Sequence, residues 1–416
     1  MTFKDWRQLS AWEAASHLRH SVDALPPSQR KAAIASMPHE AELVNRFSSA
    51  QKNRPLSGIP FFVKDLFETK GDVIQAGSAF LKEVRQPAQA DAALVTALKE
   101  QGAVCVGKTH LYEFAYGLTG ENKHFGDCEH PRFSGRTTGG SSSGSALVVA
   151  SEVAPLAIGT DTAGSLRLPA AFCGLFSFRT APKSPWISDA FPLSTSFDTA
   201  GWFTRSANEM LTTLTALTAV KSSPEVQPKG YYLPWPSLDE AVSNVFTRFT
   251  SKLCPVAGKE LTNEAVEIFK EATATYTVIQ SKETYEVHLP WLKSYEGRYS
   301  PEVLERIKRA ENWTKTDIKR ALKNKEAIEL FFENYFKTAD FLILPSAPFV
   351  ALSKAHLTNE NRSRILELTT PGSVAGRPIL TIPVILDSGL SLGLQVIVKD
   401  QASPALAYIL SLLQKP

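Results

Sequence analysis

Ile59-Pro-Phe-Phe-Val63, Ala92-Ala-Leu-Val-Thr-Ala-Leu-Lys-Glu100 and Ala103-Val-Cys-Val-Gly107 decide the fold class. The first and third are short apolar runs bounded by turn residues, and the second is apolar at helical spacing. Strand, helix and strand in that order form a βαβ unit, so the chain is α/β, with a sheet covered by helices. Downstream, Ser134 to Ser145 is crowded with Gly, Ser and Thr and then gives way to Ala146-Leu-Val-Val-Ala-Ser151, which reads as a loop entering a buried element. Loops in such positions carry chemistry more often than packing. Near the end, Phe341-Leu-Ile-Leu-Pro345, the run from Pro378 to Leu386 and the run from Gly389 to Val398 return to strand character and are expected to rejoin the same sheet.

The flanks are helical. Residues 1–50 read as two or three surface helices, broken by Pro26-Pro27 and Pro38. Residues 206–340 read as a helical insertion that covers the site, with Pro-rich breaks from Pro224 to Pro236 and a long amphipathic run from Pro301 to Lys337. Residues 1–416 are taken together as a single domain, and the 43% hydrophobic content is ample for its core.

The charge balance is +3, with the basic residues scattered, which argues against a nucleic-acid groove and for a small neutral or weakly charged ligand. The first twenty residues lack the apolar segment of a signal peptide, and no run is long enough to span a bilayer. Cys105, Cys128, Cys173 and Cys254 are widely spaced, as expected of reduced thiols in a cytoplasmic protein. A homodimer is compatible with all of this.

Several short motifs compete. Gly102 to Thr109 satisfies the phosphate-loop pattern, but Ala-Val-Cys-Val occupies the positions that must form a turn and reads as a strand. Gly140-Ser-Ser-Ser-Gly144 fits a nucleophile elbow with Ser142 at its centre, which needs a downstream acid and histidine. His288 and His356 lie in the right direction, each in a polar stretch expected to be solvated. Ser49-Ala-Gln-Lys52 fits S-x-x-K without its partner motifs. His124, Cys128 and His130 are close in sequence, but no second pair of ligands answers them, so no metal is expected. No cofactor is called for.

One longer pattern absorbs most of these. Thr138 to Ala170 reads TGGSSSGSALVVASEVAPLAIGTDTAGSLRLPA and resembles the amidase signature family. Pro55 to Asp65, Asp91 to Gly117, Ser194 to Ser206, Ser373 to Val384 and Leu392 to Ile397 extend the resemblance in one order. It implies an α/β/α sandwich with a central mixed sheet, and an amidohydrolase whose base is Lys64, whose bridging serine is Ser141 after a cis Gly140–Ser141 bond, and whose nucleophile is Ser165. It also implies that the N–H groups of Thr162, Ala163, Gly164 and Ser165 form the oxyanion hole.

These residue types suit the chemistry. A serine attacking an amide must lose its proton, and the leaving amine must gain one. A lysine can do both if burial beside Phe61, Phe62 and Val63 keeps it neutral and no carboxylate pairs with it. Asp65 is the obvious threat, although strand alternation would turn it to the other face. Ser142 is expected to support the relay, and Asp161 and Arg167 to pair and fix the nucleophile turn.

Some positions depart from the commonest family text: Ala163 and Ser143 replace glycines, Thr138 replaces a proline, and Phe176 to Pro182 differs. GGSSSGSA and GTDTAGS resemble the allophanate-hydrolase branch. FCG, GENKHFG and STSFDTAGWF resemble short plant-type indole-3-acetamide amidases. Tyr112, Phe114, Phe191 and Trp235 would suit an aryl or arylacetamide acyl group, or would be core. An amidase-fold component of an amidotransferase complex remains a further alternative.

Overall fold

The computed structural model describes residues 1–222 and 227–414, so Pro224 lies outside the described residues. Ten strands form one sheet: β1 (Ile34–Ser36), β2 (Pro60–Lys64), β3 (Val104–Thr109), β4 (Leu156–Asp161), β5 (Phe176–Arg179), β6 (Thr199–Thr204), β7 (Gly230–Tyr232), β8 (Phe341–Pro345), β9 (Ile379–Ile385) and β10 (Ser391–Val398). Their order is β1-β3-β2-β4-β6-β5-β9-β10-β8-β7. The sheet is mixed: β2 runs parallel to β3 and β4, and β7 parallel to β8, whereas β4–β6, β5–β6, β5–β9 and β9–β10 are antiparallel.

Both faces of the sheet are buried, which is why its strands are nearly continuous apolar runs. In β8, Phe341 and Ile343 enter one apolar core, and Leu342 and Leu344 enter another. The first core is covered by helices Ala11–Asp23, Ala93–Glu100, Ala207–Leu217 and Pro404–Leu413, and the second by Lys259–Phe269, Ala272–Tyr295, Lys315–Tyr335 and Asn359–Val374. This is the α/β/α sandwich with a mixed sheet. Helix Ser143–Ala150 is the exception on its face, being apolar or small all round and buried from Ser143 to Val149.

Three features were not foreseen. The first fifty residues supply the edge strand β1 as well as helices, and the charged segment supplies the opposite edge strand β7. The run from Pro301 to Lys337 is broken into helices Pro301–Lys308 and Lys315–Tyr335, the second opened by Thr314 and Asp317 capping one another. His288 is buried, not solvated, because helical spacing turns it away from its charged neighbours.

The topology positions the chemistry. Adjacent parallel strands β2 and β4 end at Lys64 and Asp161, and open α/β sheets gather ligands at such carboxyl ends. Gly201 lies on β6 opposite Gly159 of β4 and Arg179 of β5. A Cβ there would stand 1.9 Å from the Phe178 carbonyl oxygen and 2.5 Å from Leu166. Gly201→Ala is therefore expected to cost about 3 kcal/mol or more in urea unfolding, and a wild-type midpoint would contradict this packing.

Candidate active site

Lys64 is fully buried at the end of β2, and its Nζ lies within hydrogen-bond distance of three hydroxyls: Ser141 Oγ at 2.8 Å, Ser142 Oγ at 3.0 Å and Thr160 Oγ1 at 2.8 Å. Desolvation pushes the amine down to about 7, opposed only in part by the more distant charges of Asp161 and Asp198. Asp65 does not reach it. Just past the end of β2, its carboxylate pairs with Lys108 Nζ at 2.6 Å and accepts the Gln75 N–H. Lys108 and its neighbours lie in β3, so the phosphate-loop letters form a strand.

The serine loop is stitched to its surroundings by backbone hydrogen bonds. The Gly140 N–H donates to the Leu118 carbonyl, the Tyr112 N–H to the Ser141 carbonyl, and the Ser142 N–H to the Ser165 carbonyl. The Gly140–Ser141 bond is cis. A Cβ on Gly140 would meet the Thr119 carbonyl oxygen at 1.9 Å, so only glycine fits there. Ser142 Oγ donates to the Thr160 carbonyl at 3.1 Å, which commits its proton to the backbone.

Asp161 organises the turn that carries Ser165. Its carboxylate accepts the N–H groups of Gly164, Leu166 and Arg167, and pairs with the guanidinium groups of Arg167 at 2.9 Å and Arg179 at 3.0 Å. Burial alone would raise this carboxyl, but the two arginines outweigh it and hold the group well below the usual carboxylate range. One expectation is corrected here. The Gly164 N–H points to Asp161 at 2.8 Å, which leaves Thr162, Ala163 and Ser165 as the free donors of the proposed oxyanion hole. Asp198 was not singled out from sequence. It accepts the Thr162 hydroxyl and the Leu193 and Ser194 N–H groups, and desolvation raises it to about 6.

Ser165, Thr162 and Ala163 line a cavity of about 10 Å³, close to the space of one water, together with Tyr116, Tyr276 and Arg362. Leu118 and Arg362 also line a vestibule of about 590 Å³. Of the four aromatic residues proposed for substrate, only Tyr112 faces the vestibule. Phe114 and Phe191 pack against His288, with ring centroids 4.5 and 6.0 Å away, and Trp235 sits in the second core, its indole N–H donating to Glu367 at 2.7 Å. His288 bonds to the Tyr299 hydroxyl, and burial lowers it to about 3; His356 is exposed on Ser353. Neither supplies a base for Ser142.

His124, Cys128 and His130 are drawn apart by separate partners, Glu113, the Ala32 carbonyl and the Phe172 carbonyl. Among the described residues no cluster of three or more metal-ligating side chains occurs, and no helix is long and apolar enough to cross a membrane. All four cysteines are free.

Residues 21–244 match the family described as Amidase. The chain is 30% identical over 411 residues to a glutamyl-tRNA(Gln) amidotransferase component of Prochlorococcus marinus (strain MIT 9215), covering 86% of this chain and 84% of that one. It is 28% identical over 386 residues to Amidase 1 of Oryza sativa subsp. japonica, covering 84% and 88%. A solved structure titled as a crystal structure of amidase superposes with a TM-score of 0.84 at 28% identity, over 100% of this chain and 99% of that one. The Kluyveromyces lactis allophanate hydrolase shares the fold, with a TM-score of 0.83 at 22% identity over 100% of this chain and 73% of that one. The chain belongs to the amidase signature family and is an amidohydrolase acting on amide C–N bonds.

Removing the charge of Asp161 while keeping its shape leaves Arg167 and Arg179 buried without a counter-ion. Asp161→Asn is expected to cost about 3–5 kcal/mol in chemical unfolding. A loss below about 1 kcal/mol would show that the arginines find other partners.

Proposed function

We propose that the protein hydrolyses a small carboxamide to carboxylate and ammonia through a Ser165–Ser141–Lys64 relay and an acyl-enzyme. The observation that carries this reading is a buried lysine amine whose partners are hydroxyls, with no ion pair. In the proposed cycle Ser165 Oγ attacks the amide carbonyl and passes its proton to Ser141, which gives its own to neutral Lys64. The oxyanion is met by the N–H groups of Thr162, Ala163 and Ser165. The relay then returns a proton to the departing ammonia, and a water activated by the same groups releases the acid.

Two features support the order of these roles. Ser141 lies within hydrogen-bond reach of Lys64. Ser142 and Thr160 complete the amine's coordination without acidity of their own, so they orient it without charging it. Phe114, Phe191 and Trp235 are packed as core and give an aryl group little to bind, which favours a small carboxamide.

Labelling with a fluorophosphonate probe tests the relay. Ser165→Ala should abolish labelling and ammonia release, Ser142→Ala should retain both, and Lys64→Ala should slow labelling about 10²–10⁴-fold. Loss of labelling in Ser142→Ala with normal labelling in Ser165→Ala would overturn the assignment. The pH dependence has a definite sign. Protonated Lys64 cannot accept a proton, so kcat/KM should rise as pH rises through about 7. A rate that is flat from pH 5 to 9 would exclude Lys64 as the base.

A further inference from the structure

Two arginines at the entrance to the nucleophile have charge that the protein itself does not neutralise. Arg362, on helix Asn359–Val374, lines both the small cavity of Ser165 and the vestibule. Among the described residues its guanidinium makes no ion pair, and its buried Nε–H has no hydrogen-bond acceptor. Arg306 lines the same vestibule; its Nη1 donates to the Tyr116 carbonyl at 2.5 Å and to the Tyr112 hydroxyl at 3.3 Å. It also finds no carboxylate among the described residues.

The acids around the vestibule are already engaged. Glu113 is held by His124 and the Ser300 N–H, Glu302 by Lys123, Asp127 by Lys354 and Glu121 by the Thr119 hydroxyl. Burial first, and then the charge of Arg306, push the Arg362 guanidinium down to about 10, so it is still a cation at neutral pH. A half-buried cation beside a second cation is unfavourable unless a ligand brings the opposite charge. The planar fork of a guanidinium matches a carboxylate well.

We propose that the acyl half of the amide substrate carries a carboxylate, bound by Arg362 with Arg306 as second cation, between the vestibule and Ser165. Arg362 shares a cavity with Ser165, so the carboxylate stands only a few bonds from the scissile carbonyl. The substrate class is then a monoamide of a short dicarboxylic acid. This rests on the relay reading above, and the experiment separates the two.

The test compares the monoamides of butanedioic and pentanedioic acid with butanamide and pentanamide. In the wild type kcat/KM should favour the acid-ended amide by about 100-fold, as expected of a charged hydrogen-bonded pair. Arg362→Gln should bring that ratio to within about 3-fold, and Arg362→Lys should recover part of it. A wild-type ratio near one, or a ratio unchanged in Arg362→Gln, would overturn the proposal. Binding to the Ser165→Ala protein, measured by calorimetry, needs no turnover. There the monoamide of pentanedioic acid should bind at least about tenfold tighter than pentanamide, and lose that advantage with Arg362→Gln. Equal or undetectable binding of the two overturns the carboxylate proposal whatever the relay does. Turnover that survives Ser165→Ala overturns the relay alone.

Discussion

A lysine amine taken wholly out of water without a carboxylate partner is the constraint on which the rest of the structure depends. Desolvation disfavours the ammonium form, and three hydroxyls can hold a neutral amine in place without restoring its charge. The acid next to it in sequence, Asp65, is occupied elsewhere. Val63 of β2 is in register with Lys108 of β3, which brings the Lys108 amine to Asp65 just past the strand end. One buried ion pair thus keeps a neighbouring lysine unpaired. The Lys108–Asp65 pair therefore belongs to the site although neither residue touches Ser165.

The second element is a rigid frame for the nucleophile. Asp161 gathers three backbone N–H groups and two guanidinium groups, so the turn from Thr162 to Arg167 is held by one carboxylate. Arg167 carries the frame further, donating to the Thr369 carbonyl, the Gln395 side chain and Ser373 Oγ, while the Thr369 hydroxyl returns to the Ala163 carbonyl. Helix Asn359–Val374 is thereby fixed to the nucleophile turn. That same helix carries Arg362, so the group proposed to select the substrate and the group proposed to attack it are held in one unit. Such coupling of positioning and chemistry is what a reaction limited by geometry requires.

How much of this was legible in the sequence follows from signal strength. The βαβ unit, the strands after residue 340 and the Gly/Ser loop were readable because each extends over enough residues to show a period or a composition. β1 and β7 were not, since three residues at a sheet edge have neither. Lys64, Ser141 and Ser165 stand in long matching blocks, whereas Thr160 could have been found only by placing it on β4 facing Lys64. Arg362 sits in Asn-Glu-Asn-Arg-Ser-Arg, which reads as a solvated helix start. Its character comes from what surrounds it in space. His288 is the same lesson reversed: its polar sequence neighbours occupy other faces of its helix, and the ring is buried among Phe114, Phe191 and Trp291.

The charge state of the Lys64 amine can be observed without any substrate. The measurement is an NMR titration of the Lys64 side-chain nitrogen in selectively labelled protein, assigned against Lys64→Met. A titration near pH 7, well below the ordinary lysine value of about 10.4, is the expected result. An amine that stays protonated above pH 9 would mean that a carboxylate does reach it, and the central claim would fail.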